Sequence, residues 1–253
     1  MKIIQINAWS SKLHHQLLNL IEEQNPDIVC LQEIYSSNIK IGIEKDAYTA
    51  YETLKNKLGY GYFSATWSFD YLGQKVDYGN AIISKLPIKN PKTTFTNGVY
   101  SNLTKSIPPN FLNIRNVQSC EIYPQNKKLV IVNHHGYHEL NSNGSQKSID
   151  SMELVIKHIK SVNLENNPLL FCGDLNLNPT SKPIELLESS FEFNNLVKES
   201  AVSSTLSDLF RISNLAVVCD YIFASNKIKV NKFLVSSKIV SDHKALILDF
   251  DLL

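Results

Sequence analysis

Residues 168–179 read Pro168-Leu169-Leu170-Phe171-Cys172-Gly173-Asp174-Leu175-Asn176-Leu177-Asn178-Pro179. The apolar run 168–171, bounded by turn signals, has the character of a buried strand. Gly173 permits a close backbone approach or a sharp turn. Asp174 and Asn176 therefore fall just past a strand end, where a rigid element can hold polar groups in place. Taken alone, the stretch also fits a strand followed by an ordinary Asx turn. Its weight depends on how many other strand ends in the chain carry comparable groups.

Working outward, residues 3–6 read as a strand ending at Asn7. Ser10-Ser11 offers an N-cap to a helix in which Leu13, Leu17, Leu20 and Ile21 recur at helical spacing, and Asn25-Pro26 ends it. Residues 28–32 form a second buried strand with Glu33 at its end. A helix over 46–58 is stopped by Gly59, and strands follow over 60–70 and 80–84. Residues 88–113, rich in Asn, Thr, Ser and Pro, read as a long excursion with at most short strands. Residues 117–123 and 129–133 make a hairpin whose second arm runs into Asn133-His134-His135-Gly136. An amphipathic helix spans 148–159, and a short helix over 183–188 opens with Pro183. Three closing strands lie over 217–223, 229–235 and 245–251, with Ser241-Asp242-His243 between the last two. Strand–helix–strand order predicts a layered α/β architecture. The absence of repeats, linkers and composition shifts predicts one domain over 1–253.

The net charge of +1, without any run of like charge, supplies no broad basic field for tight non-specific binding of nucleic acid. No stretch reaches the length of a membrane span, and residues 1–7 turn polar too soon for a signal sequence. The four cysteines, Cys30, Cys120, Cys172 and Cys219, lie in or beside apolar runs without metal-type spacing. They read as buried, reduced core residues, which points to a cytoplasmic protein. Two glycosylation sequons, at Asn102 and Asn143, carry little weight without a secretion signal.

Five strand-like segments end in groups that suit a phosphate and a divalent cation: Asn7, Glu33, His135, the Asp174/Asn176 pair and Asp242/His243. A sixth group, Asp220, sits inside the apolar run 217–223. A buried carboxylate needs a partner, and histidine is the natural one. Each position has a plain alternative. Glu33 also fits a surface loop, and Ser241-Asp242-His243 a cap or turn. Of His134 and His135, adjacent on a strand, one faces each way.

In their order, Asn7, Leu31-Gln32-Glu33, Gly79-Asn80-Ala81-Ile82-Ile83-Ser84, Asn133-His134-His135, Gly173-Asp174-Leu175-Asn176, Asp220-Tyr221-Ile222 and Ser241-Asp242-His243 resemble the endonuclease/exonuclease/phosphatase family. The resemblance covers almost the whole chain. It implies an α/β (α+β) fold, a four-layer α/β/β/α sandwich of two mainly antiparallel sheets, and hydrolysis of phosphoester bonds with Mg²⁺ or Mn²⁺. Carried over position by position, Glu33 is the principal metal ligand, Asn7 supports the metal or the phosphate, and Asp242 joins the metal shell. Asp174 orients the attacking water, Asn176 holds the phosphate, Asp220 and His243 form a dyad, and His135 rather than His134 matches the family histidine. Asn80 and Arg115 are placed as substrate contacts. Two departures stand out: Trp9 occupies a position where several nuclease members have Asp, and Val218-Cys219 precede Asp220 where the DNA-repair branch often has Arg.

The chemistry fits such a set. A phosphodiester is anionic, so a hard cation and donors aimed at developing charge lower the barrier. Mg²⁺ takes few carboxylates and keeps waters. The reading is therefore a Mg²⁺-dependent phosphoesterase, most simply a phosphodiesterase or nuclease acting on nucleic acid as a monomer without stable membrane association. The aromatic residues Tyr60, Tyr62, Phe63, Trp67, Phe69, Tyr71 and Tyr78 either stack bases or face the core. One rival is a sphingomyelinase or an inositol or lipid phosphatase, for which the sequence shows no apolar or polybasic membrane element. The other is a non-catalytic binding protein on this fold. Substrate choice falls to rim loops over 36–50, 60–78, 88–113, 136–146 and 178–215.

Overall fold

The computed structural model describes residues 1–139, 142–210 and 217–253. Its first strand, β1 (Lys2–Asn7), shows how the layers arise. Ile4 and Ile6 pack with Leu17, Leu20 and Ile21 of α1 (His14–Gln24), whereas Ile3 joins a second cluster on the other face. Strand side chains alternate, so Gln5 and Asn7 share the face of Ile3, which meets the opposite sheet. Each of the three α1 side chains contributes about 1.5–3 kcal/mol by leaving water, enough to seat the helix. The chain then returns in β2 (Ile28–Ser36), parallel to β1, as a strand–helix–strand crossover requires.

The remaining elements are α2 (Lys45–Tyr48), α3 (Ala50–Leu58), β3 (Tyr60–Tyr71), β4 (Gln74–Ser84), β5 (Lys89–Asn97), β6 (Ser101–Asn102), β7 (Arg115–Ile122), β8 (Leu129–His135), α4 (Gln146–Val162), β9 (Leu169–Asp174), α5 (Lys182–Ser190), β10 (Phe193–Asn195), α6 (Leu196–Glu199), β11 (Asp220–Ser225), β12 (Ile228–Val235) and β13 (Leu246–Leu252). One sheet has seven strands in the order β12-β13-β1-β2-β4-β3-β6, and the other has six in the order β10-β11-β9-β8-β7-β5. Pairing is antiparallel except for β1/β2, β3/β6 and β8/β9. One apolar cluster joins α1 and α3 to the outer face of the first sheet. The other runs from Ile3, Ile28, Ile82 and Leu248 through Val117, Ile131, Phe171 and Ile222 to Met152, Val155 and Ile184 on α4 and α5. The order is helices, sheet, sheet, helices: the expected four-layer sandwich.

Local expectations differ from the structure in four places. Ser10-Ser11 does not cap α1. Trp9, Ser10 and Ser11 form a left-handed turn at φ 48°, 53° and 57°, and the helix begins only after Leu13. The helix expected over 46–58 breaks at Thr49 into α2 and α3. Residues 88–113 contain β5, a nine-residue strand paired with β7. Pro91 is tolerated there because β5 is an edge strand and its register slips between Lys89 and Lys92. Finally, β11 begins at Asp220 rather than within 217–219, because the Cys219 and Asp220 amides donate to Thr205 Oγ1.

Candidate active site

Parallel pairing of β1 with β2, and of β8 with β9, brings their C-terminal ends to one edge of the sandwich. Antiparallel neighbours bring the starts of β7 and β11 to the same edge. His135 sits opposite Asp174, and Asp174 opposite Asp220. Residues more than 200 positions apart in the chain thereby become neighbours. The β8–β9 approach is close: a Cβ on Gly173 would lie 2.1 Å from the His134 carbonyl oxygen.

Asp174 is the centre of the group. Its Oδ2 accepts from Asn7 Nδ2 at 2.9 Å, and its Oδ1 accepts from the Asn176 amide at 3.0 Å. The Nε2 atoms of His135 and His243 stand 3.6 Å and 3.8 Å from Oδ2. Burial, reinforced by the charge of Asp220, pushes the Asp174 carboxyl up to about 6. His243 Nδ1 lies 2.8 Å from Asp220 Oδ2, the expected dyad. Burial alone disfavours the imidazolium, but Asp220 and Asp174 outweigh it and hold His243 well above its ordinary value. His135 has the opposite balance. Burial, then the Arg115 charge, hold it well below the ordinary value, so it is neutral.

Glu33 reaches this group by a backbone irregularity. Ile28 and Cys30 face the second sheet with Gln32, while Val29, Leu31 and Ile34 face the helices. Plain alternation would send Glu33 to the helix side. Instead β2 continues past Glu33 through a bulge between Leu31 and Ile34, with Glu33 itself at φ 54°. Its Oε1 stands 3.8 Å from His135 Nε2, the side chain is 23% exposed, and among the described residues it accepts no hydrogen bond. A non-glycine residue in this region is strained by about 1–2 kcal/mol, and such strain concentrates at functional sites. The left-handed turn at Trp9–Ser11 is similar in kind, since the Trp9 amide donates to Asn7 Oδ1 at 2.9 Å.

The other expected residues are placed as follows. Asp242 is half-buried, and burial first and Glu33 next among the raising causes push its carboxyl up, against the His243 charge. Arg115 is buried and donates through Nε to the Gly136 carbonyl at 2.7 Å, with Glu33 and Asp174 among the charges nearest it. Asn176, at φ 55°, donates to the same carbonyl at 3.3 Å. Asn80 lies opposite the bulge that carries Glu33 but is buried, and its Nδ2 donates to Asn116 Oδ1 at 2.9 Å, bracing the two sheets. His134 faces away and bonds the Asn116 carbonyl at 3.0 Å. Most of the aromatics of β3 and β4 pack on one another. Trp67 and Tyr78 are stacked at 4.2 Å, each 8% exposed, and so are not free platforms. Of the rim loops, 140–141 and 211–216 lie outside the described residues.

Sequence reading missed the amide ladder beneath the site. Gln5 Nε2 donates to Gln32 Oε1 at 3.0 Å and to Asp220 Oδ1 at 3.1 Å. Gln32 Nε2 reaches Asn133 Oδ1 at 2.6 Å, and Asn133 Nδ2 reaches Gln118 Oε1 at 3.0 Å. The available signal was an amide at an inward position of each of four buried strands. Cys219 was also missed as a neighbour of the dyad, its Sγ donating to Asp220 Oδ2 at 3.4 Å.

The arrangement interleaves four carboxylates, Glu33, Asp174, Asp220 and Asp242, and the Asn7 side chain with an imidazolium, a neutral imidazole and a guanidinium. It can hold a hard cation, polarise an anionic ester and take a proton from water.

The sequence model described as the Endonuclease/Exonuclease/phosphatase family matches residues 4–243. No curated protein matches the chain. Among solved structures, an endonuclease/exonuclease/phosphatase from Bacteroides vulgatus is similar at a TM-score of 0.74 and 18% identity, over 100% of this chain and 98% of that one. The human Nocturnin catalytic domain with bound sulfate gives 0.72 and 18%, over 100% and 93%. A mannosyl-6-phosphatase of Bacteroides thetaiotaomicron gives 0.70 and 13%, over 100% of both chains. At these identities the structures share the fold alone.

Proposed function

Since the chain belongs to the endonuclease/exonuclease/phosphatase family of phosphoesterase hydrolases, we propose that it cleaves a phosphodiester of nucleic acid with the help of Mg²⁺ or Mn²⁺. The observation that carries the reading is the convergence of Glu33, His135, Asp174 and His243 at one edge. The donor set fits the cation. Glu33 has no hydrogen-bond donor among the described residues, its charge raises the neighbouring Asp242, and hard oxygen donors of this kind suit Mg²⁺. Glu33 and Asp242 would hold it, with the Asn7 side chain beside them. When bound, it would supply Lewis-acid polarisation of the phosphoryl oxygen.

The chain's own residues supply the rest. Asp174, raised to about 6, is ionised near neutral pH and basic enough to take a proton from the attacking water. Asn7 and the Asn176 amide fix its orientation. His243, held charged by Asp220, presents Nε2–H to the oxygen on which negative charge grows, and Arg115 adds a second cation there. His135, neutral, contributes a hydrogen bond without a charge. Asn176 positions the phosphate, whereas Asn80, buried opposite the Glu33 bulge, supports that edge through Asn116.

Two features support a nucleic-acid substrate. Trp9 lies two residues beyond Asn7 with Lys12 Nζ 4.0 Å over its ring, a cationic and aromatic edge beside the site. Tyr100, 40% exposed, stands on the rim. One observation favours a second reading, a phosphoester carrying a lipid. Ile41, Ile43, Leu72, Val99, Ile107 and Leu112 are all exposed in loops at the ends of strands on the active-site edge. The sequence hid this rim because its members are dispersed over four connections. The four free, buried cysteines support a reducing, cytoplasmic setting, and no helix among the described residues is long and apolar enough to cross a membrane. We take the working unit to be a monomer, one catalytic domain over the whole chain.

The test is a panel with Mg²⁺: single- and double-stranded DNA, an abasic duplex, RNA, a 5′-tyrosyl oligonucleotide, sphingomyelin vesicles and inositol phosphates, with Glu33→Ala as blank. We expect salt-sensitive turnover of an oligonucleotide. Turnover confined to vesicles or inositol phosphates would replace the first reading by the second.

A further inference from the structure

Outside the active site, one cluster among the described residues brings metal-type ligand atoms together. His14 and His15 open α1, and Asp46 lies in α2. His14 Nδ1 is 3.2 Å from the Ser11 carbonyl oxygen. A carbonyl only accepts, so Nδ1 carries the proton and Nε2 of the neutral ring holds a bare lone pair. That Nε2 is buried and has no hydrogen-bond partner, although the side chain as a whole is 18% exposed. It faces Asp46 Oδ2, itself an acceptor, at 4.0 Å. His15 Nε2 stands 3.8 Å from the same oxygen, and the two rings lie 4.0 Å apart. All three candidate ligand atoms fall within 4.8 Å of one another. Two acceptors facing each other, with a second imidazole nitrogen beside them, make a gap that a cation fills.

We infer that His14 Nε2, His15 Nε2 and Asp46 Oδ2 form a second metal site, for a late divalent transition ion of the Zn²⁺ class. Two imidazoles and one carboxylate select such an ion over Mg²⁺, which sets this site apart from the oxygen-rich one around Glu33. His15 and Asp46 are 70% and 57% exposed on their side chains, so water completes the coordination. Bonds of about 2.0–2.2 Å around a tetrahedral ion bring ligand atoms to roughly 3.3 Å from one another. Each side chain then moves by less than about 1 Å, and the two exposed ones are free to do so. The Ser11 carbonyl already fixes the His14 tautomer, the usual outer-shell support of a ligating histidine.

The site joins two segments that flank the active site. Ser11 belongs to the left-handed turn that holds Asn7, and Tyr48 of α2 packs edge-on against Tyr35, two residues after Glu33. A bound ion would pin α2, and with it the loop 37–44, to that turn.

Calorimetric titration of Zn²⁺ into the full chain, with Mg²⁺ in large excess, tests the assignment, together with the visible absorption of a Co²⁺-loaded sample. We expect one Zn²⁺ per chain and Co²⁺ bands of mixed nitrogen and oxygen ligation. Asp46→Asn and His15→Gln, both exposed and so compatible with folding, should weaken Zn²⁺ about tenfold or more. His14→Ala should abolish binding, and Zn²⁺ should raise the melting temperature of the wild type but not of Asp46→Asn. Glu33→Ala and His243→Ala should leave Zn²⁺ affinity unchanged, which separates this site from the proposed active site. Three results would each overturn the inference: undiminished affinity in Asp46→Asn and His14→Ala, loss of Zn²⁺ in His243→Ala alone, or no Zn²⁺ heat and no Co²⁺ bands in the wild type. The last would leave His15 and Asp46 as plain surface neighbours.

Discussion

At the scale of single residues, Glu33 trades stability for position. Held at φ 54° on a bulge, it is strained in a conformation that glycine adopts freely. Glu33→Gly should therefore melt no lower than the wild type, and up to about 1 kcal/mol more stable, while Mg²⁺ binding by calorimetry is lost. A large drop in melting temperature with Mg²⁺ affinity retained would contradict this role. The dyad gives a second expectation, in pH. Asp220 raises both Asp174 and His243. Activity should rise as pH passes about 6, where Asp174 loses its proton, and fall where the His243 imidazolium does. Asp220→Asn removes one negative charge from both, so both limbs of the profile should move to lower pH. Limbs that stay in place would show that other groups set them. The sequence disclosed these residues through their order along the chain. It did not disclose Glu33's bulge, since alternation alone points that side chain at the helices. Nor did it disclose the Gln5–Gln32–Asn133 ladder, because an amide inside a strand looks like any polar interruption.

Among the elements, β8 and β9 carry the largest share of the geometry. A Cβ at Gly173 would meet the His134 carbonyl at 2.1 Å, next to the pair His135 and Asp174. Gly173→Ala should therefore push the two strands apart, lowering both turnover and melting temperature. The cap of α4 behaves differently. Ser145 Oγ accepts from the Lys147 amide at 3.2 Å, Ser148 Oγ accepts from the Ser145 amide at 2.7 Å, and Glu139 accepts from both serine hydroxyls. Ser145→Ala should cost about 1 kcal/mol of stability and lower turnover far less than Gly173→Ala, because the cap bonds only Glu139, Lys147 and Ser148 and none of Glu33, His135, Asp174 or His243. Thermal melts and turnover measured side by side on the two variants separate the cases. Helices and strands with clear periodicity were readable, among them α1, α4, β8 and β9. β5 was not, because its Asn, Thr and Pro content is that of a loop. It is a strand because β7 offers it an edge, and no local sequence signal records that offer.

At the scale of the whole molecule, two histidines on the helix-facing side of the second sheet contribute, with His135, to its behaviour in acid. Burial, with the Arg115 charge in the first case and the Lys92 charge in the second, pushes His134 and His158 down to about 4. Both are neutral in the folded chain, while the unfolded chain takes up protons near the ordinary histidine value of about 6.5. Their stabilisation is therefore full above that value and is lost as pH falls towards 4, worth roughly 3 kcal/mol for His134. Melting temperatures between pH 7 and pH 4 should fall steeply in the wild type and less so in His158→Gln. The four-layer order itself was legible, since strand ends with matching polar groups make sense only if two sheets bring them to one edge. The most direct measurement of the catalytic reading is hydrolysis of a simple phosphodiester by purified protein, with Mg²⁺ and after its removal, in the wild type, Glu33→Ala and His243→Ala. Turnover should require Mg²⁺ and fall by about a hundredfold or more in both variants, with the melting temperature kept in Glu33→Ala and lowered in His243→Ala, which leaves the buried Asp220 without its partner. Turnover that survives both metal removal and the two substitutions would contradict the account.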